Sequence, residues 1–408
     1  MIKTIIYHSG IQILGKAGSL TLSIVATSIL ARQLGAQGYG QYTLIIALVN
    51  LLVAIGNWGT QIIGVRELAR AKDKGLLFGS LMVLRLILGA VTMLLGAIII
   101  LWLPLFTDIA RLALLSLFLV LTIIIETSWQ IVFQAFIRMD LKTIADILGA
   151  MVFLLLTVFL LRWRLGVIAP ILGWLWAKMF ALFFLIFMGQ KLLRSKLKFQ
   201  KGVLSRLLKE SLPMGTLLIL FTAYDRAIDS LIIKHFLGPS QVGFYGLAYK
   251  IYGNLVLPAY FLTQTIFPVL SQNQKKKFWS TFKLGGVLLT LGLFFLIPLT
   301  IILSSPIIRL IAGQEFYPSA LVLRILALGL IFAYFNHLTG FSLIALNRQT
   351  DSLKIGLVAL IWNLILNLIF IPQGGIIAAS WITVATEGLV SLLSSLVLIK
   401  ARGNSLIS

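Results

Sequence analysis

Apolar runs of roughly twenty residues recur along the whole 408-residue chain, separated by short polar connections. A helix of about 20 apolar residues is long enough to cross a hydrocarbon layer of about 30 Å. The pattern therefore predicts an all-α polytopic membrane protein. We expect twelve spans, near residues 8–31, 43–64, 77–103, 112–135, 144–161, 166–189, 211–233, 244–270, 284–304, 317–345, 353–371 and 376–399.

One corner of the sequence occurs twice. Leu34-Gly35, Gly40 and Tyr42 recur 203 positions later as Leu237-Gly238, Gly243 and Tyr245. Six spans per half is an even number, so both halves start on the same side, as parallel repeats about an axis along the membrane normal. We expect the glycines to permit a tight outer turn and the tyrosines to lie at the membrane interface.

The repeat predicts three segments. They are an N-lobe over residues 1–190, a basic cytoplasmic linker or interfacial helix over 191–210, and a C-lobe over 211–408. A central cavity is expected between the lobes, where transporters built from repeats place their sites.

The charged residues indicate orientation. Of 34 lysines and arginines, 22 fall on the side that carries both termini, six on the opposite side and six within spans. The positive-inside rule therefore predicts cytoplasmic termini. The net charge of +22 is then a topology signal and a contact for anionic membrane lipids, and nucleic acid is not expected as a partner. The apolar start is interpreted as a retained first span, and the absence of cysteine excludes disulfides and thiolate metal sites.

Polar residues inside the spans mark a candidate cavity wall. Spacings of 3 or 4 residues place five polar side chains of span 1 on one helical face. The predicted wall comprises Gln12, Lys16, Ser19, Ser23 and Thr27, together with Asn50 and Asn57 of span 2. Two alternatives stay open: Lys16 reaches the cytoplasmic headgroups, and the amides form interhelical hydrogen bonds.

Four segments carry a family resemblance: "LGAQGYGQY", "IDSLIIKHFLGPSQVGFYGLAYKI", "GVRELARAKDKG" and "WQIVFQAFIRMDLKTIADI". The sequence resembles the polysaccharide transporter family of the multidrug/oligosaccharidyl-lipid/polysaccharide exporter superfamily, which includes the Wzx-type O-antigen flippases. The resemblance implies twelve or fourteen helices in two lobes. It also implies flipping of a lipid-diphosphate-linked oligosaccharide across the bacterial inner membrane by alternating access, for O-antigen, capsule or exopolysaccharide. A glycan polymerase and glycosyltransferases of the same pathway are the implied partners.

The same resemblance gives the cations within spans a role. It places Lys16, Lys178, Lys250, Arg324 and Arg226 around the diphosphate and acidic sugars of the cargo. The alternative is a set of structural salt bridges, such as Asp229 with Lys250. Arg85, near the inner end of span 3, is interpreted as reaching the headgroups.

A coupling-ion site is also implied. Related lipid II flippases bind Na⁺ with acidic and amide groups from the seventh, eleventh and twelfth helices. Asp225, Asp229, Asn363, Asn367 and Thr383 stand in similar places here. Oxygen ligands suit a hard cation, but an amide pair that joins two helices explains the asparagines equally well. No cofactor is expected, and Na⁺ or H⁺ is the candidate coupling ion.

Three rival functions follow from the same features. A drug antiporter of the superfamily would favour an acidic, aromatic cavity, against which Lys16, Lys178 and Lys250 argue. A major-facilitator protein would carry a different motif after span 2. A membrane-embedded glycan polymerase, ligase or acyltransferase would need a catalytic group on a large outer loop, and the outer loops here are short. No phosphate-binding loop occurs in the sequence, so direct use of ATP is not expected.

Overall fold

The computed structural model describes the backbone of residues 2–223, 228–272 and 275–404. Burial and contacts are described at Gly15, from Gly18 to Ala223, from Ile228 to Gln272, and from Lys277 to Arg402. In these ranges the regular secondary structure is helical, without a strand. The contacts between residues divide the chain into a first unit that ends at Ala223 and a second unit that comprises the rest.

Described helices of the first unit are α1 (Ile2–Asn57), α2 (Thr60–Arg70), α3 (Lys74–Trp102), α4 (Ala110–Ala135), α5 (Met139–Arg162), α6 (Ile168–Leu193) and α7 (Lys201–Thr222). Those of the second are α8 (Ile228–Leu237), α9 (Pro239–Leu270), α10 (Lys275–Ala312), α11 (Pro318–Ala345) and α12 (Gln349–Asn404). Short 3₁₀ turns at Pro104–Ile109 and Gln314–Phe316 precede α4 and α11.

The two longest helices each contain two predicted spans. α1 and α12 are both 56 residues long, about 84 Å at 1.5 Å per residue, which is far more than one crossing requires. Each contains a glycine with non-helical dihedrals, Gly35 at φ 64° and Gly375 at φ 62°. A positive φ suits glycine because it lacks a Cβ. Nine described helices are long and apolar enough to cross a membrane, including these two. Predicted span 7, near residues 211–233, overlaps α7 and α8, and residues 224–227 lie outside the described residues.

The repeated corner has the same backbone conformation in both halves. Gly35 has φ 64° and ψ −179°, and Gly238 has φ 85° and ψ 175°. The predicted tight turn at these glycines is confirmed. The tyrosines that follow differ from the expectation of exposed interfacial side chains, because Tyr42 and Tyr245 are buried within the protein, at 9% and 2% exposed.

A second pair of related corners follows α4 and α11. Ile137 and Asn347 both have φ 58°, and the next residue in each case is an arginine. Arg138 N–H donates to the Phe133 carbonyl and Arg348 N–H to the Leu343 carbonyl, both at 2.8 Å. The two units therefore share their turn geometry on the predicted cytoplasmic side as well.

Residues 191–210, predicted as a linker or interfacial helix, contain a non-helical stretch followed by the start of α7, and their interfacial position stays a prediction. α6 ends where Arg194 adopts φ 47°, and residues 194–200 run without helical structure to the start of α7. This strap lies on α3: Lys198 N–H donates to the Gly75 carbonyl at 3.3 Å. A Cβ at Gly79 would lie 2.2 Å from the Lys198 carbonyl oxygen, so a glycine is needed for the strap to approach this closely.

Helix α7 packs within the first unit, although its sequence belongs to the second repeat. Buried Leu207 joins a core cluster formed largely by α2, α3, α4 and α6, in which the Phe78 and Trp129 rings meet edge to face at 4.9 Å. Close approach of backbones also joins α7 to the break between α1 and α2. A Cβ at Gly215 would lie 2.7 Å from the Trp58 carbonyl carbon. The boundary between units therefore falls after Ala223, within predicted span 7.

Candidate functional site

The centre of the candidate site is Asp229, in the first turn of α8 and only 1% exposed. Its Oδ1 accepts a hydrogen bond from Asn367 Nδ2 at 2.7 Å. Its Oδ2 accepts one from the Tyr245 hydroxyl at 2.6 Å and one from Thr383 Oγ1 at 3.3 Å. A carboxylate buried this deeply needs such partners, because desolvation strongly disfavours an unpaired charge.

Helix α12 contributes the amides and hydroxyls of the site. Asn367 Nδ2 also donates to Asn363 Oδ1 at 2.8 Å, and Asn363 Nδ2 donates to Thr386 Oγ1 at 3.4 Å. The four α12 side chains are 0–6% exposed. Asn363 and Asn367 precede the break at Gly375, and Thr383 and Thr386 follow it. The glycine break therefore lets the two parts of one helix meet, and spacings of four and three residues place each pair on one face.

The group contains one carboxylate, two amides and three hydroxyls. Such oxygens are ligands for hard cations, and a single negative charge suits a monovalent ion or a proton better than a divalent metal. Asn367 Oδ1 is buried and has no hydrogen-bond partner among the described residues. An orphaned carbonyl oxygen beside a carboxylate is what a bound cation would satisfy. Within the described side chains, no group of three or more His, Cys, Asp or Glu forms a metal cluster.

A second buried polar group lies in the first unit. Glu126 on α4 is fully buried, and its Oε2 accepts from Lys178 Nζ on α6 at 2.9 Å. Gln130 Nε2 donates to the other oxygen, Oε1, at 2.8 Å. Lys178, predicted as a cavity cation, thus has a buried carboxylate as its partner.

Arg85 is the most deeply buried cation described. It is 0% exposed, so the prediction that it reaches the headgroups is wrong. Its guanidinium donates to Thr60 Oγ1, to Asn57 Oδ1 and Thr127 Oγ1, and to the Ile124 carbonyl. These four partners are all neutral oxygens, and their positions on α1, α2 and α4 explain why the side chain turns inward from α3.

Other predicted residues lie apart from these groups. Arg324 Nε donates to Ser304 Oγ at 2.7 Å and Nη2 to Ser305 Oγ at 2.9 Å, which joins α11 to α10. Lys250 is half-buried on α9, and its role stays a prediction. Ser19, Ser23 and Asn50 are half-buried on α1. Four predicted residues lie outside the described residues or side chains: Gln12, Lys16, Asp225 and Arg226.

The structure thus brings Asp229, Asn363, Asn367 and Thr383 together and adds two residues that the sequence analysis missed. Tyr245 was interpreted as interfacial, although its recurrence 203 residues after Tyr42 set it apart. Thr386 follows Thr383 by three residues, which places both hydroxyls on one face of α12.

Comparison with known proteins gives the family and the fold. A sequence model of the family described as "Polysaccharide biosynthesis protein" matches residues 2–274. A probable low-salt glycan biosynthesis flippase of Haloferax volcanii is 32% identical over 160 residues. An uncharacterized membrane protein of Methanocaldococcus jannaschii is 28% identical over 163 residues. Each match covers 38% of this chain, and the chain spans about a third of each relative, 33% and 32%.

Solved structures of similar fold extend over the whole chain. The lipid II flippase MurJ in an inward closed conformation matches with a TM-score of 0.78 and 17% identity, covering 95% of this chain and 87% of that one. An inward-facing multidrug resistance transporter of the MATE family matches with a TM-score of 0.70 and 15% identity, covering 97% and 96%. At these identities the likeness concerns the fold, and it agrees with the two six-span halves predicted from the repeat.

Proposed function

Since the chain belongs to the polysaccharide biosynthesis protein family, we propose that it is a flippase for a lipid-diphosphate-linked oligosaccharide. The cargo would pass from the cytoplasmic to the outer leaflet by alternating access. The name of the Haloferax volcanii relative, a probable glycan biosynthesis flippase, supports this cargo class. Nothing in the proposed cycle makes or breaks a covalent bond, so the protein is not proposed as an enzyme.

The observation that carries the proposal is the buried group around Asp229. A carboxylate, two amides and three hydroxyls in the second unit could hold a Na⁺ ion, with H⁺ as the alternative. A cation bound there would neutralise Asp229 and satisfy Asn367 Oδ1. Because Asp229 is on α8 while its partners are on α9 and α12, gain or loss of the cation changes how three helices are held together. That is the differential interaction that a coupling ion needs in order to shift a conformational equilibrium.

Cations are proposed to compensate the diphosphate as it crosses a layer that excludes charge. The proposed set is Lys16, Lys178, Lys250, Arg324 and Arg226, with a polar wall formed by Gln12, Ser19, Ser23, Asn50 and Asn57. Of these, Asn57 also holds the Arg85 guanidinium. The cationic members support an anionic cargo, and the cavity itself stays part of the proposal.

The setting follows from the cargo. We expect a multi-pass protein of the cell membrane, with cytoplasmic termini and with glycosyltransferases and a glycan polymerase as pathway partners. The bacterial inner membrane and an O-antigen or capsule product stay predictions. The two curated relatives are archaeal, so the class of cargo is proposed without reference to one product.

Transport in proteoliposomes tests the proposal. The purified chain should move a fluorescent polyprenyl diphosphate oligosaccharide, and replacement of Na⁺ by choline at several pH values should show which ion is coupled. Asp229→Asn should remove the ion dependence and most of the transport. Asp351→Asn is the matched control, because Asp351 pairs with Arg348 in a partly exposed ion pair away from the site. Transport that is unchanged without either ion gradient would refute the coupling.

A drug antiporter is the second candidate, favoured by the likeness to the MATE transporter fold. The same liposomes distinguish the two functions. Efflux of a lipophilic cation such as ethidium, without movement of the lipid diphosphate, would support the antiporter and contradict the flippase.

A further inference from the structure

The ion pair between Glu126 and Lys178 has two unequal members. Glu126 is fully buried, and hydrogen bonds from Gln130 and Lys178 occupy both of its oxygens. The Lys178 side chain is 26% exposed, and the described contacts use one of its three ammonium donors. The lysine is therefore available to a second anionic partner, and the glutamate is not.

Stability alone does not explain this pair. Buried ion pairs are often no more stabilising than apolar side chains of similar volume, because desolvation offsets their attraction. Ionisable residues within membrane spans therefore raise the hypothesis of a function.

Lys178 lies on a different side of α6 from its apolar stripe. Trp176, Phe180 and Phe183 are exposed and follow helical spacing, as expected of a surface in contact with lipid. At 100° per residue, Lys178 lies roughly 140–160° around the helix from each of them. Its ammonium is thus not held on the aromatic stripe.

We propose that Lys178 binds a phosphate group of the cargo and that Glu126 sets the strength of this binding. The inference rests on the proposed flippase function and deepens it. One N–H of the Lys178 ammonium stays hydrogen-bonded to Glu126. The other N–H groups can donate to a phosphate oxygen in a charge-assisted hydrogen bond. Because Glu126 offsets the positive charge, the phosphate is held weakly enough to be released. Gln130 holds the carboxylate in place and is a positioning residue.

Binding of inorganic pyrophosphate to the purified full chain tests this role. The apparent Kd follows from the concentration dependence of its thermal stabilisation. Glu126→Gln should lower the Kd at least about tenfold. The repulsion between a nearby carboxylate and the phosphate, at an effective dielectric constant near 20, is larger than the free energy of a tenfold change in Kd. In proteoliposomes, the same variant should turn over a lipid diphosphate more slowly at a lower KM.

Lys178→Met alone would leave a buried carboxylate unpaired, so the double variant E126Q/K178M keeps the test independent of folding. It should unfold near the wild-type temperature and lose the pyrophosphate effect. The chain has no cysteine, so Lys178→Cys can be labelled selectively. Attachment of an aminoethyl group through a disulfide should restore binding, whereas a sulfonatoethyl group should not. K142Q/D146N, which removes a partly exposed ion pair on α5, is the matched control and should leave the Kd unchanged.

The results separate the inference from the proposed function. Three results would each overturn the inference. The first is an equal Kd in wild type and Glu126→Gln, and the second is the absence of binding to both. The third is binding of pyrophosphate to E126Q/K178M as tightly as to Glu126→Gln. Binding seen only with Glu126→Gln supports it. If the wild type fails to move any lipid diphosphate while the Kd shift is observed, the flippase function fails and the anion site stands.

Discussion

At the scale of single residues, Tyr245 joins three helices through one hydroxyl. It donates to Asp229 on α8 and lies 2.8 Å from Thr383 Oγ1 on α12, while its own backbone belongs to α9. Tyr245→Phe keeps the ring and removes this link. The variant should lower the free energy of unfolding by about 1–3 kcal/mol, because a buried oxygen of Asp229 loses a partner.

Thermal unfolding in detergent, with and without Na⁺, measures this effect. Tyr42→Phe is the matched control, because Tyr42 is the equivalent residue of the first repeat and the described contacts include no hydrogen bond of its hydroxyl. The loss of free energy of unfolding in Tyr42→Phe should be several times smaller than in Tyr245→Phe. Equal losses in the two variants would contradict the special role of Tyr245.

The sequence predicts the side chains of this site better than their surroundings. Asp229, Asn363, Asn367 and Thr383 are polar residues in apolar runs at helical spacing, so each stands out and the family resemblance connects them. Tyr245 does not stand out, because tyrosine is common at membrane interfaces and only packing of α9 against α8 and α12 turns its hydroxyl toward Asp229. The partner of Lys178 is likewise set by how α4 and α6 pack, which spacing within one helix does not reveal.

Arg85 shows the same limit and gives a second prediction. Its position near a predicted span end suggested contact with headgroups, yet Asn57, Thr60 and Thr127 draw it inward. Arg85→Gln cannot reach all of these oxygens. It should lower the free energy of unfolding by about 1.5–3 kcal/mol, the scale of one hydrogen bond to a charged group. Arg111→Gln, at an exposed arginine of α4, should change it little. Equal stability of the two variants would show that the hydrogen bonds of Arg85 do not stabilise the fold.

At the scale of helices, glycine decides where elements turn and how closely they pack. The breaks at Gly35 and Gly238 could be predicted, because a repeated glycine at a predicted turn suggests a backbone with positive φ. The strap on Gly75 and Gly79 could not, since a glycine within an apolar helix is common in membrane proteins and does not identify its partner. The placement of α7 in the first unit is hidden for the same reason.

The α7 contact gives a prediction for one helix with its own control. In Gly215→Ala, the new Cβ would lie 2.7 Å from the Trp58 carbonyl carbon, so α7 must move away from the break after α1. In Gly202→Ala, nothing lies within 4 Å of the new Cβ, and the better helix propensity of alanine should stabilise α7 by up to about 1 kcal/mol. Hydrogen exchange of α7 should therefore be faster in the first variant and equal or slower in the second. Slower exchange in Gly215→Ala would show that the contact does not hold α7.

An ion network on the surface joins α2 to α7. Arg66 and Glu67 of α2 pair with Glu210 and Arg206 of α7, at distances of 2.6 Å between Arg66 and Glu210 and 3.5 Å between Arg206 and Glu67. These side chains are 18–53% exposed, so each pair contributes little by itself. The close approach of Gly215 to Trp58, in contrast, does not depend on salt.

At the scale of the whole molecule, the sequence predicts the order of the spans and the side of the membrane on which each connection lies. Parallel repeats require that equivalent connections lie on the same side of the membrane, whereas inverted repeats would place them on opposite sides. Two pairs of exposed polar residues test this: Thr107 and Gln314 in predicted outer connections, and Ser195 and Ser271 in predicted cytoplasmic ones. Because the chain has no cysteine, four single-cysteine variants can be compared without background labelling.

Thr107→Cys and Gln314→Cys should react with a membrane-impermeant maleimide on intact cells. Ser195→Cys and Ser271→Cys should react only after permeabilisation, because the 22 basic residues on their side predict that it is cytoplasmic. Labelling of Thr107→Cys and Gln314→Cys from opposite sides would contradict the parallel repeat, and labelling of Ser195→Cys on intact cells would reverse the orientation.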